Sequence, residues 1–82
     1  MRTLVLGRNP IPDEGAVALA GASSLVTLRV LDLHGTEVSD EGARALARSS
    51  SLVSLESLDL RGCALSAASV KLLRERFRIV RY

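Results

Sequence analysis

Two aspartates, Asp32 and Asp59, stand in matched surroundings, VLDLHG and SLDLRG. A basic side chain follows each by two positions, His34 after the first and Arg61 after the second. Paired carboxylates share a proton or hold a cation when they are close and desolvated, because only then do their pKa values separate. If the two segments are adjacent parallel strands, a spacing of about 4.8 Å makes the aspartates direct neighbours. An open sheet face supplies little desolvation, and a metal would require a third or fourth ordered ligand. The expected state is a pair of solvated carboxylates softened by His34, Arg61 and the nearby Arg29.

Other reactive side chains point no further toward catalysis. His34 is the only histidine, and a Ser-His-Asp arrangement with Ser54 or Ser57 lacks the strained G-x-S-x-G turn. Cys63 has no identifiable cationic activator and is expected to be buried. LHG and LRG are turns, not the G-x-G-x-x-G of a phosphate cradle. The tail KLLRERFRIVRY sets Lys71, Arg74, Arg76, Arg78 and Arg81 against Glu75. Such a tail could meet an acidic partner or nucleic acid. Structurally, its positive charge complements a helix C-terminus, and its outward arginines keep a terminal strand soluble. Phe77 is expected to seal the last layer.

The elements that position these groups follow from composition and period. Eighty-two residues allow one small domain, near the lower limit for a self-sufficient core. The chain is 48% hydrophobic but only 2% aromatic, so its interior must be built from Leu, Val, Ile and Ala, which suits thin repeated layers. A net charge of +2 is too small to argue for nucleic acid. One cysteine excludes an intramolecular disulfide and fits a reducing compartment. Neither a signal-peptide core nor the roughly 20-residue apolar run of a membrane helix is present. A soluble cytoplasmic protein is expected.

Shifting the chain so that Asp32 falls on Asp59 aligns Leu4, Leu31 and Leu58, then Leu6, Leu33 and Leu60, and also Ile11, Val38 and Leu65. The same shift aligns Leu19, Leu46 and Leu73, sets Met1 with Leu28 and Leu55, and places Ile79 and Val80 beneath Leu52 and Val53. The units are 1–27, 28–54 and 55–81. Within each, TLVLG, VLDLH or SLDLR alternates as a strand with one buried face does. A turn follows, with Gly35 and Gly62, and then a helical spacing such as Ala43, Leu46, Ala47 and Ser50. Pro12, Ser39 and Ser66 occupy the helix starts. Ser39 is expected to cap its own helix, and Asp40 and Glu41 to complement its first turn. Gly15 and Gly42 are expected where a helix approaches its strand. With so few residues per connection, the strands must run parallel, joined by right-handed crossovers, and the units must stack to bury their apolar faces.

LRVLDLHGTEVSDEGARALA and LESLDLRGCALSAASVKLL resemble leucine-rich repeats of the ribonuclease-inhibitor-like type, L-x-x-L-x-L-x-x-N/C-x-L followed by a helical segment. The ending LLRERFRIVRY is similar to the C-terminus of many bacterial members, where a last helix runs into a short basic strand. The turn asparagine is kept only as Asn9, becoming Thr36 and Cys63, which satisfy turn backbone less well. The resemblance implies an α/β solenoid with strands on the concave face and helices on the convex face. It implies protein binding rather than catalysis. Similar proteins that inhibit nucleases or activate GTPases leave regulation of an enzyme as the alternative, with Arg8 or Arg61 supporting phosphoryl transfer.

The whole chain, 1–82, is expected to be one such domain, part or remnant of a longer array, without cofactor, metal or membrane contact. Its partner is expected to be another protein, not nucleic acid. Val5, Arg29, Val30, Asp32, His34, Asp59 and Arg61 are the candidate contacts on the concave face. The first strand, 2–7, is expected to be an open parallel edge and a route to self-association. Sedimentation at micromolar concentration should therefore show association that grows with concentration; a stable monomer would remove the edge strand as a liability.

Overall fold

In the computed structural model, which describes residues 2–82, the alternating segments form strands and the segments of helical spacing form helices. The order is β1 (Thr3–Val5), α1 (Asp13–Ala20), a 3-10 turn (Ser23–Leu25), β2 (Val30–Asp32), α2 (Asp40–Ala47), β3 (Ser57–Asp59), α3 (Ala67–Arg76) and β4 (Ile79–Arg81). The strands pair in chain order as one parallel sheet. The place given to Met1 in the repeat lies outside the described residues.

Leu31 lies beside Leu4 and Leu58, so the repeat period sets the register of the first three strands. The fourth departs from it. Val80 pairs with Leu58, and Ile79 with Ser57, at a shorter separation than the repeat, so neither stands in for Leu52 or Val53. The cause is local: α3 runs ten residues where α1 and α2 run eight. Phe77 then turns extended while its N–H still bonds Leu73 O at 2.8 Å, and the chain enters β4 directly. The loop that carries Leu25 and Leu28, or Leu52 and Leu55, has no counterpart there, and the buried ring of Phe77 closes the layer in its place.

Leu31, Leu33, Leu58 and Leu60 from the strands meet Ala43, Leu46 and Leu73 from the helices in a core with no exposure at these positions. Each buried leucine contributes roughly 1.5–3 kcal/mol relative to leaving it exposed. Leu4, Leu6, Ile11 and Leu19 of the first layer are only partly buried, as an end layer requires. In α2, Ala43 and Leu46 face inward as spaced, but the helix stops at Ala47. Ser50 is therefore exposed, and Ser49 takes the buried place instead.

The helix ends are finished by neighbouring layers. Ser39 does not cap α2 with its own side chain. Asp13, one layer earlier, accepts from Ser39 N at 2.7 Å, Ser39 Oγ at 2.5 Å and Gly42 N at 2.9 Å. Asp40 likewise accepts from Ser66 N at 2.8 Å, while Ser66 also caps its own helix by accepting from Ser69 N. Both acids thus act on the next helix rather than only on their own. At the other end, the Ser49 hydroxyl donates to Ala20 O, and Arg76, at the matching position of the next repeat, donates to Ala47 O at 2.9 Å.

Gly42 is needed for this lacing. A Cβ there would lie 2.6 Å from Asp13 Oδ1, 2.9 Å from Val38 Cγ1 and 3.0 Å from Ala16 Cβ. The close approach is between helices α1 and α2, not between helix and strand as the spacing implied. For Gly15 the obstructing atom is the neighbouring Ile11 side chain.

Replacing Asp13 by Ala should cost about 1–2 kcal/mol in urea unfolding at neutral pH, since it orphans a helix start. The hydroxyl and N–H of Ser39, with Gly42 N–H, hold the Asp13 carboxyl below its ordinary value of 3.8. A depressed folded-state pKa means the contribution is complete above that value and lost as pH falls through the lower folded one. The stability gap between wild type and Asp13→Ala should accordingly close on acidification below about pH 4.

Candidate partner-binding face

Strand alternation turns Leu4, Leu31, Leu58 and Val80 toward the core, Leu31 and Leu58 fully buried, and turns their neighbours outward. One row across the open sheet face reads Thr3, Val30, Ser57, Ile79; the next reads Val5, Asp32, Asp59, Arg81. Backbone bonds from Arg8 N to His34 O, 2.8 Å, and from Gly35 N to Arg61 O, 2.7 Å, continue the ladder into a third row of Gly7, His34 and Arg61. The expected columns are therefore brought together. Ile79 and Arg81 are additions that the repeat alignment concealed. The alternation in RIVRY, apolar Val80 between outward Ile79 and Arg81, is the signal that points to them.

Each aspartate is engaged by the residue two positions on. Asp32 Oδ1 accepts from His34 N at 3.0 Å and lies 2.6 Å from His34 Nδ1. Asp59 accepts from Arg61 N at 3.0 Å, from Nε at 3.0 and 3.1 Å and from Nη2 at 2.7 Å. Partial burial pushes the Asp32 carboxyl up, but the backbone and ring donors of His34 outweigh it and hold the group below its ordinary range. The Arg61 guanidinium does the same for Asp59 against its burial, and Asp59 in turn raises Arg61. A proton-sharing dyad needs one carboxyl raised; both here are lowered, so the pair is not built as a general acid.

Asp32, His34 and Asp59 offer donor atoms within 4.8 Å of one another. A cation there would have to displace Arg61 from Asp59 and break the His34–Asp32 bond. Arg29 does not join this group. It pairs with Glu56 at 3.5 Å, an exposed contact of the kind worth about 0–1 kcal/mol. His34, in turn, sits on Asp32.

Gly7 makes room for that ring, since a Cβ at this position would overlap the imidazole. One residue on, Arg8 adopts φ 63°, the same left-handed turn that Gly35 and Gly62 occupy at φ 66° and 79°. For a residue with a side chain this conformation costs roughly 1–2 kcal/mol, so the turn geometry is imposed by the stack. Inside the turns, Asn9 Nδ2 donates to Leu6 O at 3.0 Å and Thr36 Oγ1 to Leu33 O at 2.7 Å. Cys63 is only partly buried, contrary to expectation, with Sγ 3.4 Å from Leu33 O and 3.5 Å from Thr36 Oγ1. In the basic tail, Arg76 serves the end of α2 and Arg74 donates to Tyr82 Oη at 3.2 Å.

A family model described as Leucine Rich repeat matches residues 1–20, 24–47 and 51–73, three segments that each hold one strand and its helix, the last only through residue 73 of α3. A search of the curated proteins found no match. Among the described residues, no helix is long and apolar enough to cross a membrane. Gly7→Ala should drive the His34 ring off Asp32, and an NMR pH titration should then find the Asp32 carboxyl titrating closer to its ordinary value. An unmoved Asp32 would show that the ring contributes nothing to holding it.

Proposed function

The chain belongs to the leucine-rich repeat family, whose repeats are generally protein-interaction modules, and we propose that it binds another protein through the open, concave face of its sheet. The observation that supports this is the combination of exposed Val5, Val30 and Ile79 with charged groups already fixed in pairs. Side chains ordered before binding lose less entropy when a partner arrives. Val5, Val30, Asp32, His34, Asp59 and Arg61 form this surface, extended by Ile79 and Arg81, while Arg29, paired with Glu56, stands apart from it.

Four strands span only about 14 Å between outer axes at the usual inter-strand spacing. A standard interface uses roughly 800 Å² per partner, so this face serves best as part of a longer surface or as its terminal cap. For the alternative, regulation of an enzyme, Arg61 is held bidentately by Asp59, which leaves Arg8 as the candidate arginine. With a single free thiol, we place the protein in a reducing, cytoplasmic setting.

The test is affinity capture from the source cells with wild type, Asp32→Arg and Asp59→Arg, each checked for folding by circular dichroism. Either charge reversal should weaken a captured partner by at least about tenfold, the loss of some 1.4 kcal/mol. Capture unchanged in both variants would rule out the sheet face as the binding surface.

A further inference from the structure

The helical side of the third layer carries a groove of 430 Å³ lined by Leu65, Ala67, Val70, Lys71, Arg74 and Tyr82. The same face of α1 is covered by α2, and that of α2 by α3, so the fold itself shows what shape fits: a helix lying alongside, parallel to its neighbour. Residue types at matching positions show how the third face differs. Asp13 and Asp40, which hold the start of the next helix, are replaced by Ala67. Ala20 and Ala47, beside which the next helix ends, are replaced by Arg74. With Lys71 one turn away, the lining holds two basic side chains and no acidic one.

We propose that this groove docks an acidic amphipathic helix of a partner protein, running parallel to α3. Leu65 and Val70 receive its apolar side, and Lys71 and Arg74 meet carboxylates on its flank. Arg74 also lies where the last-turn carbonyls of a parallel helix form a negative pole. A second copy of this chain fits poorly. Stacking its β1 on β4 would extend the sheet register, with Thr3 beside Ile79 and therefore Arg2 beside Arg78. Like charges directly opposite are unfavourable in a sheet.

The test uses two synthetic amphipathic helices of the same apolar pattern, one with Glu and one with Lys on its flanks, read by fluorescence anisotropy and by NMR shifts of the full chain. The Glu peptide should bind at least about tenfold more tightly, with shifts centred on Leu65, Val70 and Tyr82. Lys71→Glu combined with Arg74→Glu should reverse the preference, whereas Asp32→Arg should leave it intact, separating this groove from the sheet face. Equal binding of both peptides, binding by neither, or shifts on the sheet face would overturn the proposal. So would sedimentation showing self-association abolished by the Lys71/Arg74 reversal, or displacement of the Glu peptide by duplex DNA.

Discussion

No strand–helix unit of this chain can satisfy its own backbone. Its helices α1 and α2 have eight residues, well below the length at which an isolated helix holds in water. Their exposed N–H and C=O groups are met by side chains one layer away: Asp13 and Asp40 at helix starts, Ser49 and Arg76 at helix ends. Each layer is both donor and recipient. A buried leucine contributes roughly 1.5–3 kcal/mol, whereas a cap is worth about 1 kcal/mol. Leucines therefore supply most of the free energy, and the caps decide which helix sits beside which and at what height.

The open sheet face inherits its order from that stacking. Once Leu31 and Leu58 share a layer line, Asp32 and Asp59 must stand abreast, because side chains alternate along a strand. What the stack does not dictate is local. Each carboxylate turns back to accept from the backbone N–H of the residue two positions on, which fixes its rotamer. Both aspartates stay ionised to lower pH than a free carboxyl, so the pair acts as fixed charge rather than as an exchangeable proton. A surface of fixed charges with Val5, Val30 and Ile79 beside them has the chemistry of recognition.

Period and alternation make the parallel strands, the turns at Gly35 and Gly62 and the rows of the sheet face legible in the sequence. The direction of capping is not. A recurring Asp at a helix start reads the same whether it serves its own first turn or the next helix, and only the distance to Ser39 or Ser66 separates the two. The register of β4 is hidden by coincidence: Ile79 and Val80 fall on apolar positions of the repeat, so nothing flags that α3 is longer than its counterparts and the connecting loop is missing. Arg29 looks like a neighbour of the aspartates because it is close in sequence, yet a strand sends consecutive side chains to different faces, and its contact is Glu56.

The shortened last connection also explains why the two sides of the stack end differently. On the sheet side, β4 arrives early enough to lay Val80 beside Leu58 and cover the third strand. On the helical side nothing among the described residues packs outside α3, and Leu65 remains only partly buried. Had β4 kept the repeat spacing, Ile79 and Tyr82 would have fallen where Leu25 and Leu28 are buried. Phe77 supplies that bulk with one ring, and the residues saved become the strand. The sheet therefore runs one strand beyond the helices, leaving an apolar step beside α3 where the residues pointing outward are Lys71 and Arg74. That step is built from the same positions that join the inner layers, with the aspartate of the helix start lost to Ala67 and an arginine gained at Arg74.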